Sequence, residues 1–339
     1  MRKIPFTKMS GSGNDFILID NRRHLLKEGN LKGFIKRICE HRLSVGGDGV
    51  ILIEPASEPL ARRVRLRRRA RGVGASEERS PHGPPHKKPA DFKWRLFNAD
   101  GSEAEFSGNG GRCAARFAYL KKIAGRRLSF ETLAGLVRAE IKKDRVKIQC
   151  PEARNLRPHL TIPLEGRSLQ GHFIHAGVPH VVLYVEDVDL VNVVGLGRVI
   201  RHHSLFQPAG TNVNFVTRVD PHTVRIRTYE RGVEDETLAC GSGSVAAALI
   251  TGALDKGLSP LTLIQRSGKT LKVYFRIARP LALPGTGRSA LGGVGVSEQD
   301  SRQRTGPHKE STGAVFSEIF LEGDAMIIYE GEMWEEAWK

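Results

Sequence analysis

Ser107-Gly108-Asn109-Gly110-Gly111-Arg112-Cys113-Ala114-Ala115 in the first half of the chain is answered by Cys240-Gly241-Ser242-Gly243-Ser244-Val245-Ala246-Ala247 in the second. Each copy places a hydroxyl or thiol side chain, then Gly-x-Gly, then small, helix-forming residues. Such glycines let the backbone approach a ligand, and free N–H groups at a helix start bind an anion such as a carboxylate. The same field is expected to lower the pKa of a thiol placed there. One Gly-x-Gly alone reads as an ordinary turn. Two copies in the same register predict two facing units that hold one α-carboxylate between two helix N-termini. A proton-transfer group then lies on either side of the α-carbon, which suits inversion at a stereocentre: one face loses a proton and the other receives one. Cys113 falls inside the first helix and reads as a small buried hydrophobe.

Around these two blocks the pattern is mostly of short strands. Apolar, β-branched runs predict strands at Phe16–Ile19, Val50–Ile53, Trp94–Phe97, Leu128–Thr132, Leu136–Lys142 and Val146–Cys150. A second half begins near Pro151, with strands at His180–Val185, Thr223–Tyr229, Thr270–Ile277, Phe316–Leu321 and Ala325–Tyr329. Helical spacing covers Leu31–His41, with Leu31, Phe34, Ile35 and Ile38 on one face. Helices are also expected over Arg112–Ile123 and over Val245–Thr251, the latter closed by Gly252. Many strands with one Ala-rich helix per half predict an α+β protein of two similar lobes.

The chain has 339 residues, enough for two domains with cores of their own. Its net charge of +16 suggests nucleic acid until the charge is located. Between Pro55 and Arg95 there are twelve Lys/Arg against four acids, so half of the excess sits in one stretch that also carries Pro81, Pro84, Pro85 and Pro89. It reads as a solvated insertion, residues 56–91, rather than a nucleic-acid interface. Residues 279–313, rich in Gly, Pro and Ser, read as a second insertion. The four cysteines show no CxxC pair and no histidine at ligand spacing, which argues against a disulfide framework or a zinc site and for reduced thiols in a cytoplasm. No apolar run approaches the roughly 20 residues of a membrane span. The polar run Ser10–Asp15 argues against a secretory signal.

Three blocks carry a resemblance to the diaminopimelate epimerase family. Met9-Ser10-Gly11-Ser12-Gly13-Asn14-Asp15-Phe16 resembles its N-terminal signature. Phe97-Asn98-Ala99-Asp100-Gly101-Ser102-Glu103, leading to Ser107-Gly108-Asn109-Gly110, resembles its first active-site block, and Tyr229-Glu230-Arg231 through Ala239-Cys240-Gly241-Ser242-Gly243 the second. The resemblance implies two pseudo-symmetric lobes, each an antiparallel β-sheet curled around a central α-helix. The N-terminal lobe would comprise residues 1–151 plus 324–339, and the C-terminal lobe 152–323. It further implies a homodimer that interconverts LL- and meso-2,6-diaminopimelate in lysine and cell-wall synthesis, without pyridoxal phosphate, metal or other cofactor. Carried over residue by residue, it implies a catalytic thiol at Cys240. His180 and Glu230 match groups that adjust thiol proton affinity. Asn14, Asn98, Asn212, Glu230 and Arg231 match substrate contacts, and Gly108 and Asn109, with Gly241 and Ser242, match the two carboxylate-binding loops.

Three positions depart from the family pattern. Ser107 stands where the family has its other catalytic cysteine, and a hydroxyl is far less acidic than a thiol. Val178 replaces the Asn of a Gly-Asn-Pro-His block, removing one polar contact to the distal end of a substrate. Gly49 replaces a polar residue found in some relatives. Four readings follow, in order of preference. They are an active epimerase, a related cofactor-independent racemase, isomerase or dehydratase, an impaired homologue, and a nucleic-acid-binding protein resting only on the arginine run.

Overall fold

The computed structural model describes residues 2–26, 28–57, 90–255, 258–279 and 314–338. Most of both expected insertions, 58–89 and 280–313, therefore lies outside the described residues. The first half contains β1 (Lys3–Gly11), β2 (Asn14–Asp20), α1 (Leu31–Cys39), β3 (Gly49–Glu54), β4 (Phe92–Asn98), β5 (Glu103–Ala104), α2 (Gly108–Leu120), β6 (Arg127–Thr132), β7 (Gly135–Lys142) and β8 (Arg145–Gln149). Then come β9 (Ala153–Leu164), β10 (Arg167–Ala176), β11 (Val178–Tyr184), α3 (Val193–Arg201), β12 (Asn212–Asp220), β13 (Thr223–Glu230), β14 (Asp235–Thr237), α4 (Gly241–Leu254), β15 (Leu261–Ile264), β16 (Thr270–Arg279), β17 (Val315–Asp324) and β18 (Met326–Trp334).

The strand pairings repeat. In the first half β18–β1–β2 are antiparallel, β2–β3 parallel, β3–β4 antiparallel, β4–β6 parallel, and β6–β7–β8 antiparallel. In the second half β9–β10–β11 are antiparallel, β11–β12 parallel, β12–β13 antiparallel, β13–β15 parallel, and β15–β16–β17 antiparallel. The two series join where β8 pairs antiparallel with β17, giving an α+β molecule whose sheet is mixed, with parallel steps at matching places.

Alternation along each strand then decides what lies on either side. Phe16, Leu18, Ile51 and Ile53 face α2, while their neighbours Ile17, Ile19, Val50 and Leu52 pack on α1. The same division puts Val182, Val216 and Ile226 toward α4 and Val181, Phe215 and Tyr229 toward α3. α4 is buried on every side from Gly243 to Ala253, as a helix without a polar face must be.

Both central helices start earlier than the sequence pattern suggests. α2 begins at Gly108, not Arg112, and α4 at Gly241, not Val245. Their glycines serve as the first helical turn, with Ser107 and Cys240 as N-caps. Gly252 does not close α4, which runs on to Leu254; a Cβ there would come within 2.3 Å of the Phe275 ring, so the glycine is a packing site.

Candidate active site

The two helix starts face each other. A Cβ built on Gly241 would lie 3.7 Å from the Cα of Gly108, and one on Gly108 would meet Leu321 Cδ2 at 2.8 Å. Glycine at both positions lets the two turns approach each other over Leu321 of β17, which a side chain at Gly108 would have to displace. Ser107 Oγ accepts from the Gly110 N–H at 3.2 Å, and Cys240 Sγ accepts from the Gly243 N–H at 3.3 Å. The N–H groups of Gly108, Asn109, Gly241 and Ser242 have no acceptor among the described residues. Four donors and two helix dipoles therefore converge, which favours a carboxylate.

The β1–β2 turn closes one side. Ser12 and Gly13 both adopt positive φ, +56° and +114°, as a two-residue hairpin turn requires. A Cβ at Gly13 would lie 3.0 Å from Leu238 Cβ, so the turn reaches the loop that leads into Cys240. Behind the turn runs a chain of oriented polar groups. Ser12 Oγ donates to Asp324 Oδ1 at 2.6 Å, and Arg112 Nη2 donates to Ser12 Oγ and to Asn109 Oδ1, each at 2.8 Å. Asn109 Nδ2 donates to Asn14 Oδ1 at 2.5 Å, and Asn14 Nδ2 to Asp48 Oδ2 at 3.1 Å. Arg112 is fully buried, and burial holds its pKa down to about 10, so it keeps its charge at neutral pH. The sequence pattern did not single out Arg112, Asp48, Ser12 or Asp324. The one available signal was a charged residue set among Gly-Gly and Cys-Ala-Ala in a buried helix.

Cys240 is buried, and its proton affinity moves opposite to expectation. Burial raises the thiol pKa, the neighbouring Glu230 charge raises it further, and the Ser242 hydroxyl and Gly243 N–H only partly offset them. The helix-start field is outweighed by desolvation, so the resting group is a thiol. Glu230 is also raised, chiefly by burial and in part by Asp48, while the Thr237 hydroxyl and the Cys240 thiol act in the opposite direction. A carboxyl of raised proton affinity beside a thiol is a fitting proton acceptor for it. Cys113 is fully buried in α2, where burial pushes its thiol up to about 12, as an inert core residue.

His180 is fully buried, and burial, with the charges of Arg231 and His175, lowers its pKa to about 3. It is a neutral imidazole at physiological pH. Asn212 is joined to Arg231, whose N–H donates to Asn212 Oδ1 at 2.9 Å, and Asn212 Nδ2 donates to Pro179 O at 2.9 Å. Arg231 Nη1 donates to Ala209 O at 2.9 Å. Asn98 is exposed, bonded to Ser102, and makes no hydrogen bond to the other predicted site residues. Its pairing partner in β3 is Gly49, where a Cβ would meet Phe97 O at 2.4 Å. That close approach is the physical reason for glycine at 49. Val178 opens β11 opposite Ala176, half-buried.

A profile of the family described as diaminopimelate epimerase matches residues 82–154 and 172–272. A diaminopimelate epimerase of Aquifex aeolicus (strain VF5) is 42% identical over 280 residues, covering 80% of this chain and 89% of that protein. The chain belongs to the diaminopimelate epimerase family. A second member, from Hydrogenobaculum sp. (strain Y04AAS1), is 43% identical over 277 residues, 79% of this chain and 90% of that protein. Among solved structures, a Bacillus anthracis protein of the PhzF family aligns with TM-score 0.61 at 13% identity, covering 98% of this chain and all of that one. A hydroxyproline epimerase from Agrobacterium vitis aligns with TM-score 0.61 at 14% identity, covering 99% and 93%. At these identities the likeness shows a shared fold across the family and its distant neighbours.

Proposed function

We propose that this chain interconverts LL- and meso-2,6-diaminopimelate by moving a proton off one face of an α-carbon and onto the other. The observation that carries the reading is the pair of helix N-termini in contact, each capped by a side chain able to carry a proton, Ser107 on one and Cys240 on the other. The α-carboxylate sits between the helix starts, where the N–H groups of Gly108, Asn109, Gly241 and Ser242 stabilise the charge that develops on it as the α-proton leaves. Asn14, Asn98, Asn212, Glu230 and Arg231 serve as substrate contacts, Arg231 offering a planar fork suited to a carboxylate.

In the direction that uses Cys240 as base, Glu230 first takes the thiol proton, and the thiolate then takes the α-proton. The resulting carbanion receives a proton from Ser107 Oγ on the opposite face. Ser107 then regains a proton from water and Glu230 releases to water the one it took from Cys240, which restores the hydroxyl, the carboxylate and the thiol. In the reverse direction a serine oxygen must abstract the proton, which its low acidity makes slow. Turnover of LL-diaminopimelate in heavy water should give the meso form with deuterium at one α-carbon. Protein that leaves the substrate unlabelled and unconverted overturns the reading. Ser107→Cys is expected to raise kcat at least about tenfold, equivalent to roughly 1.4 kcal/mol of barrier; an unchanged or lower rate would favour a related reaction built around serine.

A homodimer in the cytoplasm completes the proposal. Among the described residues β18 pairs with β1 along one edge only, and Met326-Ile327-Ile328-Tyr329 is exposed there, an edge that soluble proteins cover. A second copy docked on this edge would give twice the chain mass by sedimentation equilibrium, and a purely monomeric mass would exclude it. Among the described residues no helix is long and apolar enough to cross a membrane.

A further inference from the structure

His180, Val182 and Tyr184 alternate onto the β11 face packed against α4, and Tyr184 Oη lies 2.7 Å from Thr251 Oγ1 in that helix. Val182 is level in the sheet with Asn214, whose Oδ1 lies 2.3 Å from where a Cβ on Gly243 would stand, in the first turn of α4. Strand and helix thus run the same way, and His180, two residues before Val182, is level with the helix start that carries Cys240.

The Asn214 amide is held from three sides. Its Nδ2 donates to Val181 O at 2.9 Å, and Thr228 Oγ1, directly across the β12–β13 ladder, donates to its Oδ1 at 3.0 Å. A carbonyl oxygen accepts only, so it fixes which end of the amide is nitrogen. The second Nδ2 hydrogen faces His180 Nδ1 at 3.2 Å. Nδ1 must then accept, and the ring proton must reside on Nε2. That Nε2 is buried and has no hydrogen-bond partner among the described residues. A buried N–H left unpartnered is costly, so such groups are retained where a ligand satisfies them.

From this we infer that Asn214 is a positioning residue that locks His180 as the neutral Nε2–H tautomer and thereby presents a fixed N–H donor to the bound substrate at the helix start. His180 in the resting enzyme is accordingly a donor and not the base of the reaction. The inference deepens the epimerase reading of the same site and rests on it only for the identity of the ligand. Thr228 acts one step further back, since its hydroxyl occupies Asn214 Oδ1 and prevents the amide from turning over.

The test reads the tautomer directly. Long-range 1H–15N spectra of the ligand-free enzyme labelled at histidine, with His180 assigned by comparison with His180→Gln, should show a pyridine-type Nδ1 and a protonated Nε2. In Asn214→Asp the carboxylate accepts where the amide donated, so the proton should move to Nδ1. Diaminopimelate kcat should then fall at least about tenfold with KM changed by less than about threefold. Thr228→Val, which keeps shape and removes the hydroxyl, should give a mixture of tautomers if Asn214→Asp does not fold. A wild-type spectrum with Nδ1–H, or equal populations of both forms, overturns the inference, as does a tautomer unmoved in both variants. The spectra need no turnover. Enzyme with the expected tautomer but no epimerisation would sink the epimerase reading alone.

Discussion

Cys240→Ala should turn over LL-diaminopimelate with kcat lowered about 10²- to 10⁴-fold, the range contributed by one positioned proton-transfer group. The loss should fall on kcat and not on binding, because the carboxylate is held by backbone N–H groups that the substitution leaves in place. The side chain also caps α4 through the Gly243 N–H, and losing an N-cap costs about 1 kcal/mol. Cys240→Ser separates the two effects, since a hydroxyl can still cap but is far harder to deprotonate, so the anionic base is scarcely available. It should restore the thermal midpoint without restoring the rate. Turnover undiminished in Cys240→Ala, measured as solvent deuterium appearing in the product, would remove Cys240 from the chemistry.

Arg112→Met is expected to destabilise the fold by about 3–5 kcal/mol, because it removes a buried donor from four acceptors at once. Arg112 donates to Asp324 O at 3.1 Å, to Gly108 O at 3.1 Å, and to Ser12 and Asn109, while Asp324 is itself buried. The Asp324 carboxylate accepts from Ser12 Oγ and faces Lys269, whose Nζ lies 4.0 Å from Oδ2 on a half-exposed side chain, while the Arg112 charge acts on it through the same buried network. The thermal midpoint should fall on the order of 10 °C. Asp324→Asn added to Arg112→Met should recover part of the loss, because the uncompensated charge disappears with it. A single variant within about 1 kcal/mol of wild type, or a double variant no better than the single, would show that this charge is not what the network neutralises. The folded fraction of Arg112→Met should also bind substrate more weakly, since Asn109 and Asn14 lose the group that orients their amides.

What was legible in the chain was local. The Ser107 and Cys240 blocks announced two helix starts in register, because glycines and an alanine run act within one turn of themselves, but the helices were expected only from Arg112 and Val245 and the capping by Ser107 and Cys240 went unread. Strands such as Val50–Ile53 and Val146–Cys150 followed from short branched runs, close to the observed Gly49–Glu54 and Arg145–Gln149. α3 was missed because Gly195 and Gly197 lower its intrinsic helix tendency. Gly197 is there for packing: a Cβ would meet the Tyr229 side chain at 2.5 Å. Strands β9, β10 and β12 went unread as well, β9 because exposed polar residues interrupt its apolar pattern.

The partners of the site residues lay beyond any sequence pattern. The sequence by itself determined the two glycine-led helices and the side chains able to carry protons. Tertiary structure alone brought Gly108 to Gly241, tied Arg112 to Asp324 and Ser12, aimed Asn214 at His180, and buried Cys240 beside Glu230 so that the thiol pKa rose instead of falling. The reason is one of range. Capping and periodicity are decided by neighbours a few bonds apart. Desolvation and hydrogen-bond partnership depend on which distant strands share a register, and no short stretch of chain encodes that.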